Sequence, residues 1–245
     1  KNKIGIIPAR LHSTRFPKKI LADINGKPMV IRTAERVSKC KNLDRLIIAI
    51  DDDETYQILK DFDYELMMTS TSHKSGTDRI AEVVKRINDV DVIINIQADE
   101  PFINSRLIDN LVEVYDNSEI EMSTLVSTQL SIKDLSDENI VKAYLDENLF
   151  ATDFNRVISN HSLDSLLTPL TTRLGGVYKH LGIYGFSKKS LLDFVSYKQT
   201  SNEQHRNLEQ MRAIDNGIKI KAVITDKDCI SINVITDISQ VNKKV

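Results

Sequence analysis

Apolar and polar positions fall into blocks along the first half of the chain, and the period changes from one block to the next. Residues 4–7 form a short unbroken apolar run, read as a strand buried on both faces. Residues 28–40 then carry Met29, Ile31, Ala34 and Val37 at helical spacing behind Pro28, a residue favoured at a helix start. Strands are predicted again at 46–50, 65–68 and 92–96, with helices at 55–60, 78–87 and from the N-cap Ser105 through Tyr115. The acidic run Asp51–Glu54 precedes one of these helices and is expected to cap it. This rhythm predicts an α/β fold with a mostly parallel central sheet and helices on both faces.

The second half reads differently. Strands are predicted at 122–126, 141–145, 150–154, 180–186 and 218–224, and helices at 190–197, 208–216 and 236–244, with Gly217 as a C-cap. Residues 159–178 have no period and are rich in Ser, Thr and Gly, which predicts a long functional or mobile loop. The layout expected is one domain over 1–245: an α/β part at 1–120, an embedded, smaller β-rich subdomain at about 121–200, and a return to the core over 201–245.

Composition narrows the class. The chain has 245 residues, 41% hydrophobic and 28% charged, with net charge −2, as in an ordinary globular protein. Near-neutral charge gives no support for nucleic-acid binding. Cys40 and Cys229 are the only cysteines, with no CxxC or Cys/His cluster, so neither zinc nor a disulfide framework is expected and a reducing cytoplasm is. No apolar run approaches the roughly 18 residues of a membrane helix, and no signal-peptide core is read, so no membrane insertion is expected.

Candidate chemistry gathers at strand ends. The strand at 4–7 runs into a loop carrying Arg10, Arg15, Lys18 and Lys19 among Pro8, Ala9, Ser13 and Pro17. Cations at the carboxyl end of a parallel strand suit an anionic ligand, and several could converge on a triphosphate; the plain alternative is a solvated basic loop. Ser75-Gly76-Thr77-Asp78-Arg79 offers a glycine for close backbone approach, with Thr77 or Asp78 as the helix cap. A capped helix start accounts for most of it. Gln97-Ala98-Asp99-Glu100-Pro101 ends a central strand, where Asp99 suits Mg2+ and Gln97 a ribose or base; an ordinary turn stopped by Pro101 is the alternative. His180, with neighbouring cations, could bind a carboxylate, and Glu209 and Gln210 sugar hydroxyls, although a lone strand histidine is more often structural.

Taken in order, IPARLHSTRFPKKIL, SGTDRIAEVV, INIQADEPFI, YKHLGIYGF and LEQMRAIDNGIKI resemble the motifs of the 3-deoxy-manno-octulosonate cytidylyltransferase (CMP-Kdo synthetase) family. The resemblance covers about residues 4–220. It implies a nucleotidyltransferase, Rossmann-like fold whose β-rich part serves sugar binding and dimerisation. It implies CMP transfer from CTP to the eight-carbon sugar acid Kdo for lipopolysaccharide biosynthesis, with Mg2+ and a homodimer. By the family pattern Arg10 and Lys19 hold the triphosphate with Arg15 beside them, and Ala9, Ser75, Arg79 and Gln97 help place the nucleotide. Asp99 ligates the metal, while Arg156, His180, Tyr184, Glu209 and Gln210 line the sugar-acid pocket.

The chain departs from that pattern in places. Ala98 and Lys18 stand where the family usually has glycine. Asn233 stands where it has the second metal-binding aspartate, and Ile235 replaces a proline. An asparagine oxygen lacks the charge that favours a hard cation, so weaker Mg2+ binding is expected. Two other readings follow: a cytidylyltransferase for a modified sugar acid such as 8-amino-Kdo, and a binding protein with a decayed metal site.

Overall fold

The computed structural model describes residues 1–12, 16–116, 119–157, 176–229, 232 and 237. Arg15, Asn233, most of the 159–178 loop and all but Asp237 of the expected terminal helix lie outside them. The chain divides into two compact units, 1–116 with 229–245, and 117–228. The return to the first unit thus comes at Cys229, not at 201.

In the first unit β1 (Lys3–Ala9) leads through a small hairpin, β2 (Asp23–Ile24) and β3 (Lys27–Pro28), into α1 (Met29–Val37). Then follow β4 (Arg45–Ile50), α2 (Asp53–Leu59), β5 (Glu65–Met68), α3 (Gly76–Arg86), β6 (Val92–Asn95) and α4 (Ser105–Glu113). The four longer strands are parallel in the order β5-β4-β1-β6. Ile4, Ile6, Ile47, Ile48, Ile93 and Ile94 are all buried, as strands covered on both faces require. The chain winds outward from β1 to β4 and β5, then crosses back to put β6 on the other side of β1. The order reverses there, so the carboxyl ends of β1 and β6 form the switch point where such sheets take ligands.

Caps differ from the sequence reading by a residue or more. α3 is capped by Ser75, whose hydroxyl accepts from Asp78 N–H at 3.1 Å, rather than by Thr77 or Asp78. α4 is capped by Asn104, not Ser105. In both, the cap has extended backbone one residue before the first helical one. Of the acidic run, Asp52 caps α2.

The second unit is strand-rich. It holds β7 (Met122–Ser127), α5 (Ile132–Ser136), β8 (Lys142–Leu145), β9 (Ala151–Asn155), β10 (Val177–Ser187), α6 (Lys188–Ser196), α7 (Ser201–Arg206), α8 (Met211–Asp215) and β11 (Ile220–Thr225). β10 pairs antiparallel with β7 and β8, β8 with β9, and β11 runs parallel to β7. The helix expected at 208–216 shrinks to α8, because Leu208–Gln210 turn into it from the left-handed C-cap Asn207. Gly217 follows with φ +79°, as its C-cap reading required.

Candidate active site

The sequence brings three separated segments of the first unit to the switch point. Arg10 follows β1, Gln97 follows β6, and Ser75 and Gly76 open α3; together with Arg79 they line a cleft of about 220 Å3. Gly76 is there for space: a Cβ on it would meet Pro8 Cγ at 3.2 Å, so a side chain would push α3 away from the end of β1. Arg10 is exposed, whereas Ala9 is fully buried and presents only backbone. His73 and Lys74 also line the cleft, and the motif reading missed both because they precede SGTDR. The His73 ring is held by Glu82.

Arg79 reaches the cleft but its guanidinium is already engaged. It is 2% exposed; Nη2 donates to Asp51 at 2.8 Å and Nη1 to Thr69 at 2.5 Å. Two of its five N–H donors thus go to a buried tie, the charge partner a shielded cation needs.

Lys19 and Asp99 form an ion pair, both largely buried. The turn at Asp99 is fixed from two sides: Thr33 on α1 donates to Ala98 O at 3.0 Å, and Ile232 N–H donates to Asp99 O at 2.9 Å. Ala98 is not among the positive-φ residues, so its methyl group is accommodated. Lys18, by contrast, has φ +53°, the left-handed conformation that glycine adopts freely.

The sugar candidates all belong to the second unit. Gly182 has φ +71° where the β10–β7 register shifts between His180 and Tyr184. That bulge leaves the two rings 5.4 Å apart, with Phe154 edge-on to His180 at 5.0 Å. Burial, with the Glu209 carboxylate secondary, raises the Tyr184 hydroxyl well above its ordinary pKa.

His180 differs from expectation. The Thr124 hydroxyl lies 2.8 Å from Ile183 O and 3.0 Å from His180 Nε2. A carbonyl can only accept, so the Thr124 proton goes to Ile183 and His180 Nε2–H must donate to Thr124. Burial pushes the imidazole down to about 3, so the ring is neutral near pH 7. It is therefore not a cation for a carboxylate.

Arg156 fits that task instead. Its guanidinium donates to the carbonyls of Glu138 (3.1 Å), Arg206 (3.3 Å) and Asn207 (3.1 Å), with no carboxylate partner among the described residues. Three of its five N–H donors are used in these bonds. Lys142, fully buried and absent from the sequence reading, donates to Arg156 O at 2.6 Å and Asp137 O at 2.7 Å, and so fixes that backbone. Gln210 is buried at the start of α8, and Glu209 Oε1 stands 3.8 Å from Arg212.

A family profile described as cytidylyltransferase matches residues 4–220. The chain is 35% identical to the 3-deoxy-manno-octulosonate cytidylyltransferase of Thermodesulfovibrio yellowstonii over 247 residues, covering 98% of this chain and 96% of the relative. It is 36% identical to that of Geobacter sulfurreducens over 249 residues, covering 100% and 99%. Among solved structures it is similar to a CMP:2-keto-3-deoxy-manno-octonic acid synthetase complexed with CTP, with TM-score 0.90 at 27% identity, covering 100% of this chain and 98% of that one. A 4-diphosphocytidyl-2C-methyl-D-erythritol synthase from Anaerococcus prevotii shares the fold alone, with TM-score 0.65 at 14% identity. The chain belongs to the 3-deoxy-manno-octulosonate cytidylyltransferase family.

Proposed function

We propose that this protein transfers CMP from CTP to the anomeric hydroxyl of Kdo and releases pyrophosphate. The observation that carries the reading is the convergence of Arg10, Ser75 and Gln97 on one cleft at the sheet's switch point. The anomeric oxygen forms its bond to the α-phosphorus as the bond to the bridging β-phosphate oxygen breaks in line; pyrophosphate leaves with the electron pair and the hydroxyl proton is released. Such transfer needs positioning and neutralisation of charge rather than a covalent intermediate. Arg10 and Lys19 bind the triphosphate, and Ser75 and Gln97 place the nucleoside. Arg156 takes the sugar carboxylate, and Tyr184, Glu209, Gln210 and neutral His180 orient its hydroxyls.

Asp99 suits Mg2+: one carboxylate oxygen is on Lys19, and the other has no partner among the described residues. Mg2+ binds through one or two carboxylates with waters and phosphate oxygens, so the Asp99 carboxylate is enough to begin such a site. Bound there, Mg2+ would neutralise charge on the phosphates. A homodimer belongs to the same reading, and sedimentation at two protein concentrations tests it. Among the described residues no helix is long and apolar enough to cross a membrane.

The test is pyrophosphate release with CTP, Mg2+ and Kdo. Turnover is expected in the parent, loss of at least about a hundredfold in Asp99→Ala, and a lower Mg2+ requirement in Asn233→Asp. CTP binding without turnover in the parent and in Asn233→Asp would overturn the reading.

A further inference from the structure

Asp51 directly follows β4 and takes no part in the motif that caps α2, yet it is 8% exposed and both its oxygens are engaged. Oδ1 accepts from Leu11 N–H at 2.9 Å, and Oδ2 from Arg79 Nη2 at 2.8 Å. Leu11 follows Arg10 on one wall of the cleft, and Arg79 comes from α3 on the other. Thr69 completes the tie: it accepts from Arg79 at 2.5 Å and donates to Ile50 O at 2.7 Å, beside Asp51 itself. A single buried carboxylate thus joins the loop that carries Arg10 to the helix that opens with Ser75.

We infer that Asp51 is a positioning residue for nucleotide binding: by holding Leu11 N–H and Arg79 together it sets where Arg10 stands relative to the α3 wall. This rests on the assignment of Arg10 to the triphosphate. A buried N–H without its acceptor either opens to water or moves the backbone, and here the backbone that moves carries the phosphate-binding cation. The ion pair itself is a separate matter of folding, because removing one partner strands a buried charge. The two roles are separable by substitution. Asp51→Ala/Arg79→Met and Asp51→Asn/Arg79→Met both remove the ion pair and leave no stranded charge, but only the asparagine keeps an acceptor for Leu11 N–H.

The experiment measures affinity for CTP and for CMP in both double variants and in the parent, with circular dichroism to establish folding. The expected result is that the alanine variant binds CTP about tenfold more weakly than the asparagine variant, as loss of one hydrogen bond allows. Their CMP affinities should agree, because CMP lacks the terminal phosphates. Equal CTP affinities in the two variants, or equal losses for CTP and CMP, would overturn the inference. A parent that does not distinguish CTP from CMP would instead refute the triphosphate assignment. Amide exchange gives an independent check that needs no variant: Leu11 N–H in the ligand-free parent is expected to be protected to the level of neighbouring strand amides, and free exchange there refutes the tie.

Discussion

Lys18 holds a backbone conformation that costs an L-residue energy, with φ +53°. Its ammonium pairs with Glu54 at 2.6 Å, but both side chains are about half exposed, so the pair contributes little. Lys18→Gly should therefore stabilise the protein by about 0.5–1 kcal/mol, read as a rise in the urea midpoint at unchanged slope. His180 gives a prediction of opposite kind. With its pKa pushed down to about 3 by burial, the folded ring binds no proton between that value and the ordinary 6.5, whereas the unfolded ring does. Stability from this group is fully present above about pH 6.5 and falls as pH drops toward 3. NMR titration should show the His180 ring neutral throughout pH 5–8; a midpoint near 6.5 would refute the assignment. The sequence made Arg10, Gln97 and Asp99 legible as candidates because they follow strands within short motifs, and Ser75 because it stands at a helix start. It did not reveal that Arg79 is tied to Asp51, or that Thr124 fixes the protonation of His180. Those partners are 28 and 56 residues away in the chain, and only the sheet brings them together.

At the scale of elements, the apolar runs predicted every strand of the parallel sheet to within a few residues: β1, β4 and β6 are buried at most positions, and even the part-exposed β5 keeps a short apolar run. Short polar elements were missed. α7, with the sequence SNEQHR, has no apolar face, but Thr200 and Glu203 form a reciprocal capping box that could have marked it. The β2–β3 hairpin was missed too, although Asn25 and Gly26 at its turn, both with positive φ, are a hairpin signal. Close packing around β1 supplies an element-scale prediction. A Cβ on Gly5 would meet Leu43 Cδ1 at 3.1 Å and the Cδ1 atoms of Leu46 and Ile96 at 3.2 Å. Gly5→Ala is expected to cost about 1–3 kcal/mol by crowding the interior, measured by denaturant unfolding. A neutral result would show that the three methyl groups can give way together.

At the scale of the whole molecule, the triphosphate candidates fall in one unit and the sugar-acid candidates in the other. CTP with Mg2+ should slow amide exchange around residues 8–11, 73–79 and 97–99, and Kdo alone around 154–156 and 177–186, since a ligand protects the segments it binds. Protection of the same segments by both ligands would contradict the division of roles. The first unit is also interrupted: its segment through Asp116 resumes only at Cys229. Ile232, fully buried, packs with Phe16, Ile24 and Met29, and its N–H caps the carbonyl of Asp99. During synthesis, then, the wall beside the acidic turn is the last part of that unit to be finished, after the entire strand-rich insertion has emerged from the ribosome. A chain released at Asp228 should keep much of its secondary structure, yet expose the Phe16–Met29 patch and bind a hydrophobic dye. A product truncated before Ile232 thereby carries its defect at the Asp99 turn itself.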